Sequence, residues 1–164
     1  MSRQFAIDAF AFAREGGDLD GLLKISDLER LHDLLVDATG EVRFRVTGST
    51  GELDQAQLRV QVSGRMPLAC QRCLQPVDFD LAVDSLLEPV PEGVELAQDE
   101  LEDDRRDFLP VSGLLELATL IEDEILLALP LCPRHETCGL PGTSEAGERM
   151  TPFAALSVLK GKPN

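Results

Sequence analysis

Cys70-Gln71-Arg72-Cys73 holds the most chemistry of any stretch in this sequence. Two thiolates two residues apart can take two corners of a tetrahedral zinc site. A second pair must come from elsewhere in the chain. Cys132, His135 and Cys138 offer three donors, and Cys132-x-x-His135 and His135-x-x-Cys138 both have ligand spacing. The candidate ligand set is therefore Cys70, Cys73, Cys132 and Cys138, with His135 as the alternative ligand. Its ion would be a structural zinc tying two distant segments together. Reduced, inert thiols beside a surface histidine account for the same residues. A redox dithiol is a third reading, although the βαβ context of a thioredoxin-like motif is missing.

The arginines offer a different chemistry. Arg72 lies between the two cysteines, and Arg43, Arg45 and Arg59 occupy alternate positions of two strand-like runs. A guanidinium grips phosphate or carboxylate in a bidentate fork. Arg43, Arg45, Arg59 and Arg72 are thus the candidate contacts for RNA or an acidic partner surface. Pairing with Asp78 and Asp80 across neighbouring strands competes with that role. Glu122-Asp123-Glu124 invites a catalytic reading, but on a helix three successive side chains fan over roughly 200° and cannot converge on one ion. No histidine or second carboxylate cluster stands ready to assist, so solvation of at least two is expected and no catalytic residue is assigned.

These residues must be positioned by a small number of elements. Val42, Phe44 and Val46 alternate with polar residues, as do Leu58, Val60 and Val62, and then Val77, Phe79, Leu81 and Val83. A period of two marks half-buried strands with one wet face. Gly48 to Gly51 reads as the turn after the first, and the cysteine loop links the second to the third. Connections this short predict an antiparallel meander. Phe5, Ile7 and Ala9 suggest a further strand over Phe5 to Ala13. Ser26 and Glu29 form a capping-box pattern ahead of Leu28, Leu31 and Leu35, which predicts a helix ended by Gly40. Ser112 is placed to cap a second helix with Leu114, Leu117, Ile121, Ile125 and Leu129 on one stripe, stopped by Pro130. The segment from about 88 to 110 shows no period and reads as a long acidic loop, mobile in the free protein. A tail of about 139–164 closes the chain, with an apolar run from Pro152 to Leu159 that would dock on the domain's own core. The fold class predicted is α+β: an antiparallel β-meander with helices packed on one side and a long acidic loop, one domain over residues 1–164.

Charge narrows the function. The chain has 15 basic and 30 acidic residues, a net of −15. Residues 84–124 alone hold 2 basic and 14 acidic residues, a net of −12. A bare duplex-binding module is disfavoured, because phosphate binding needs clustered Lys and Arg. With no Trp and no Tyr, base-stacking platforms are disfavoured too. A basic protein suits the excess charge as a partner. The opening residues carry Arg3, Asp8 and Arg14 and make a poor signal peptide, and no run nears the ~20 apolar residues of a membrane helix. A cytoplasmic protein without membrane contact is expected.

Four stretches, taken in order, resemble one family. Leu68-Ala69-Cys70-Gln71-Arg72-Cys73-Leu74-Gln75-Pro76 is similar to the C-x-R-C-x-x-P signature of YceD proteins, the large ribosomal RNA subunit accumulation proteins. Ile121 to Leu131 resembles their E-D-E-I-x-L-A-L-P helix end. Cys132-Pro133-Arg134-His135 with Cys138 is similar to the segment directly after that helix, and Thr151 to Lys160 resembles their N-P-F-A-x-L-x-x-L-K ending. The likeness covers about residues 40–162. The most cysteine-rich relatives carry further cysteines after this point, where this chain has Pro141-Gly142-Thr143. The resemblance implies a non-enzymatic role in the synthesis, processing or stability of 23S rRNA and in large-subunit assembly. The implied partner is a basic large-subunit ribosomal protein or a precursor 23S rRNA particle. Direct RNA binding through the arginines, and a zinc or thiol redox enzyme, remain the alternatives.

Overall fold

A computed structural model describes residues 6–52, 54–103 and 106–139. The chain runs β1 (Ala6–Ile7), α1 (Ala9–Arg14), β2 (Asp18–Lys24), two 3₁₀ segments (Ile25–Asp27 and Glu29–Leu34), β3 (Glu41–Thr50), β4 (Ala56–Ala69), β5 (Pro76–Pro91), α2 (Gln98–Leu101), β6 (Asp107–Val111), β7 (Leu115–Glu116) and α3 (Leu117–Ala128). The fold is α+β. Its main sheet has five strands in the order β2-β3-β4-β5-β6, antiparallel except for the parallel β5–β6 pair. β1 and β7 form a separate antiparallel pair.

The alternating runs sit where the period of two places them. Val42, Phe44, Val46, Val60, Val62 and Leu81 face one side and are buried with Leu117, Ile121 and Ile125 of α3 and with Ile25 and Leu31 of the 3₁₀ segments and Leu28 between them. Each such side chain, fully removed from water, contributes about 1.5–3 kcal/mol. The opposite face carries exposed Arg43, Arg45, Arg59, Arg65, Asp80 and Asp84.

Several local expectations are corrected. Phe5 to Ala13 is no single strand: after β1, Asp8 caps α1, its Oδ1 accepting from the backbone N–H groups of Phe10 and Ala11 at 3.0 Å each. The segment after β2 is not an α-helix. Ile25 in the first 3₁₀ segment, Leu31 in the second and Leu28 at the break between them are all buried. Ser26 lies inside the first 3₁₀ turn instead of capping a helix. β3 extends through Thr50, and the turn falls at Gly51–Gln55, closed by the Gly51 N–H to the Gln55 carbonyl at 2.8 Å. α3 starts at Leu117 rather than after Ser112, because Leu115 and Glu116 pair with Ile7 and Ala6. The 88–110 segment contains order: β5 continues to Pro91, α2 follows, and β6 pairs with β5 from Leu87↔Asp107 to Pro91↔Val111. Pro89 and Pro91 lie beyond the last β4 partner, Leu58↔Leu87, so their missing N–H groups break no ladder on that side. β2 carried no expectation, since Asp18-Leu19-Asp20-Gly21-Leu22 is interrupted by glycine at an inward position. Gly21 is needed there, because a Cβ would stand 2.9 Å from the Phe44 ring. The Pro152–Leu159 run lies outside the described residues.

The acidic triplet of α3 is structural. Glu122 and Glu124 are only 8% and 6% exposed, against the expectation that two of the three are solvated. Glu122 accepts from the Arg30 backbone N–H at 2.8 Å and from its Nε at 2.7 Å. Arg30 also reaches Asp123 at 2.6 Å and the Thr119 carbonyl at 3.3 Å. Glu124 accepts a hydrogen bond from Ser85 on β5. One guanidinium thus fastens the 3₁₀ segment to α3. Arg30→Ala leaves Glu122 buried without its cation and should cost about 1–3 kcal/mol in chemical denaturation. The double change Arg30→Met with Glu122→Leu should recover most of that; failure to recover would show that the pair is not the source of the loss.

α1 lies flat on the sheet over Gly48. A Cβ at that position would stand 2.4 Å from the Phe12 carbonyl oxygen and 2.8 Å from the Ala13 Cα. Both contacts are backbone and cannot rotate away. Gly48→Ala should therefore lift α1 and destabilise the fold by about 1–3 kcal/mol. An unchanged denaturation midpoint would mean that α1 contributes nothing to stability.

Candidate metal centre

The β4–β5 hairpin carries the first cysteine pair at its tip. Pairing runs in register to Ala69↔Pro76, and the Cys70 N–H donates to the Gln75 carbonyl at 3.0 Å. Inside that loop the Leu74 N–H donates to the Cys70 carbonyl at 2.9 Å. Leu74 takes a left-handed conformation, φ 62°, which turns the chain back after Cys73. α3 ends before Pro130, and the next segment folds back over the loop. The Gln71 N–H donates to the Pro133 carbonyl at 2.8 Å, and Arg72 Nη1 donates to the Cys138 carbonyl at 3.0 Å.

Four side chains converge there: Cys70, Cys73, His135 and Cys138, with their donor atoms all within 4.8 Å of one another. Cys70 Sγ lies 3.7 Å from Cys138 Sγ, and Cys73 Sγ lies 3.4 Å from His135 Nδ1. His135 Nε2 is 2.8 Å from the Pro76 carbonyl oxygen. Cys70 is fully buried, and the other three are half-buried. Cys132 is exposed and not part of the group. Of the five residues singled out from sequence, the structure gathers four and substitutes the alternative ligand His135 for Cys132. Spacing could not choose between them, since both stand three residues from another donor.

Burial pushes the Cys70 thiol up, but the backbone N–H groups of Cys73, Arg72 and His135, and the Cys73 side chain, aim at its sulfur and draw it down to about 5. Cys138 moves the other way, raised first by burial and then by its hydrogen bonds to Cys70 and Cys73. With Cys70 Sγ and Cys138 Sγ 3.7 Å apart, a negative charge on one disfavours a second on the other.

The arginines do not gather. Arg45 makes a bidentate pair with Asp18 at 2.9 and 2.6 Å, and Arg59 one with Asp84 at 2.7 Å for both bonds. Arg65 pairs with Asp80 at 3.1 Å. Arg72 belongs to the cysteine loop. Among the described residues Arg43 has no ion-pair partner; it lines an open groove of about 630 Å³ on the outer face with Asp20, Gln61, Ser63 and Asp84. The face is therefore close to charge-balanced. The exposed acidic residues Glu92, Glu95, Glu102 and Asp107 instead collect around the β5–β6 connection.

A one-sided sheet with helices on its inner face, a Cys/His group at one hairpin tip and an acidic connection at the other end defines the α+β domain. Residues 58–160 match the family model described as large ribosomal RNA subunit accumulation protein YceD, and the chain belongs to that family. It is 26% identical over 170 residues, 95% of each chain, to the large ribosomal RNA subunit accumulation protein YceD of Haemophilus influenzae. No solved structure matches.

The outer-face pairs carry a pH signature. Hydrogen bonds from Arg45 and Arg59 hold the Asp18 and Asp84 carboxyls below their ordinary value. A carboxyl whose folded pKa is depressed stabilises the fold above its unfolded pKa and loses that contribution as pH falls through the folded one. Asp84→Asn should accordingly flatten the fall in melting temperature below about pH 4. An acid limb identical to that of the unsubstituted protein would show the pair to be energetically silent, as exposed pairs often are.

Proposed function

We propose that this protein is a non-enzymatic factor that supports the accumulation of 23S rRNA and the assembly of the large ribosomal subunit, acting in the cytoplasm by binding a basic ribosomal protein or an assembly intermediate. Its membership of the YceD family, over residues 58–160, carries the reading. The charge distribution supplies the mechanism. Residues 84–124 bear a net of −12, and Glu92, Glu95, Glu102 and Asp107 are exposed around one connection. Such a surface attracts a basic partner over a Debye length of about 8–10 Å at physiological salt and sets its orientation on arrival.

The Cys/His group fits this reading as a structural clip holding zinc. Four protein donors close a tetrahedral site and leave no position for a substrate or an activated water. A thiol redox enzyme would need an accessible low-pKa sulfur, and Cys70, whose thiol is drawn down, is fully buried. Direct contact with precursor RNA is favoured by one observation: among the described residues, Arg43 stands without an ion pair beside an open groove. Against it, Arg45 and Arg59 are already held by Asp18 and Asp84.

Deletion of the gene should lower the ratio of 23S to 16S rRNA, and a normal ratio would reject the reading. Pull-down with the full chain should recover large-subunit proteins at low salt and lose them in a high-salt wash. Glu92→Lys with Glu95→Lys should weaken that capture while leaving the melting temperature unchanged, because both side chains are exposed. Tight binding to naked 23S fragments, abolished by Arg43→Ala, would transfer the assignment to RNA contact.

A further inference from the structure

We propose that Cys70, Cys73 and Cys138 through Sγ, and His135 through Nδ1, hold one Zn²⁺ in a closed tetrahedral site from which Cys132 is excluded. This rests on the reading of the group as a structural zinc clip and deepens it by naming the four donor atoms.

The spacing of the donors fits the ion. Zinc–sulfur bonds of about 2.3 Å and a zinc–nitrogen bond of about 2.0–2.1 Å place tetrahedral neighbours about 3.8 Å apart for sulfur–sulfur and about 3.5 Å for sulfur–nitrogen. Two of the six donor–donor distances, 3.7 Å for Cys70 to Cys138 and 3.4 Å for Cys73 to His135, match these values, and all six lie within 4.8 Å. A disulfide needs about 2.05 Å, so the close thiols are not half-formed bridges.

The surroundings orient the ligands. His135 Nε2 lies 2.8 Å from the Pro76 carbonyl, an acceptor with no proton to give. The ring must therefore carry its proton on Nε2 and donate it there, which leaves the Nδ1 lone pair facing Cys73. This is the outer hydrogen bond that metal-ligating histidines ordinarily make. On the sulfur side, backbone N–H groups of Arg72 and Cys73 point at the buried Cys70. The left-handed Leu74 and the Leu74-to-Cys70 backbone bond close the turn that brings both cysteines to the same side.

Ligand chemistry selects the metal. Three thiolates and an imidazole suit zinc and reject magnesium or calcium, which take oxygen donors. The remaining cysteine cannot join, since Cys132 is exposed and outside the group. The two ligand-bearing segments are 62 residues apart from Cys73 to His135 and are otherwise joined by few bonds, notably Gln71 to Pro133 and Arg72 to Cys138. The ion would supply the missing constraint.

The test is metal content of the tag-free full chain, reconstituted with zinc, desalted and measured by mass spectrometry. The unsubstituted protein and Cys132→Ser should each hold about one zinc per chain, and Cys138→Ser near none. A chelator should lower the melting temperature of the first two. An unsubstituted chain that holds no zinc overturns the proposal, as does a Cys132→Ser chain that loses it while Cys138→Ser keeps it. Should Cys138→Ser fail to fold, cobalt replaces zinc in the unsubstituted chain. Intense tetrahedral bands with thiolate-to-cobalt charge transfer support the site, and the weak spectrum of hydrated octahedral cobalt overturns it. The metal count reads the site alone, and the 23S-to-16S ratio reads the ribosomal role, so the two can fail separately.

Discussion

The pairing of β4 with β5 is the interaction on which the rest of this structure depends. It runs from Leu58↔Leu87 to Ala69↔Pro76 without a slip in register. Because side chains alternate along a strand, that single register decides two things together. It puts Val60, Val62, Leu81 and Leu87 on the inner face, where α3 and the 3₁₀ segments cover them. It also brings the chain to Cys70 at the hairpin tip with the loop closed over the sulfur. A slip of one residue would turn the core outward and open the cysteine loop.

The inner and outer faces of the sheet do different work. The inner face supplies hydrophobic burial and takes in two carboxylates, Glu122 and Glu124, each answered by a partner. The outer face carries a lattice of Arg–Asp pairs that cancels most of its charge. The acidic excess is thereby left to the β5–β6 connection. Arg106 sits at the root of that connection, bonded to Glu88 and Glu100 and stacked 4.5 Å from the Phe108 ring. It anchors a segment on which Glu92, Glu95, Glu102 and Asp107 are exposed. A nearly charge-balanced sheet face thus stands beside an acidic corner.

The three central strands could be read from alternation because burial of one face forces a period of two in the sequence itself. α3 could be read for the same kind of reason. β2 could not, since glycine occupies one of its inward positions and only the Phe44 ring opposite explains it. β6 could not, since a parallel edge strand with Pro110 in it carries no local period. The Ser26–Glu29 pattern misled because a capping box speaks only for local hydrogen bonds, whereas the spacing of Ile25, Leu28 and Leu31 answers to the core above them.

Residue types and spacing alone determined that this chain folds around a half-buried antiparallel sheet, that its excess charge is concentrated in one segment, and that its cysteines come in separated groups. Those are properties of neighbours along the chain. The choice of His135 over Cys132, the cancellation of Arg45 and Arg59 by Asp18 and Asp84, and the burial of Glu122 under Arg30 were decided only in three dimensions. Each joins residues far apart in sequence, and which of several equally spaced donors meets its partner depends on how the segment after α3 folds back across the hairpin.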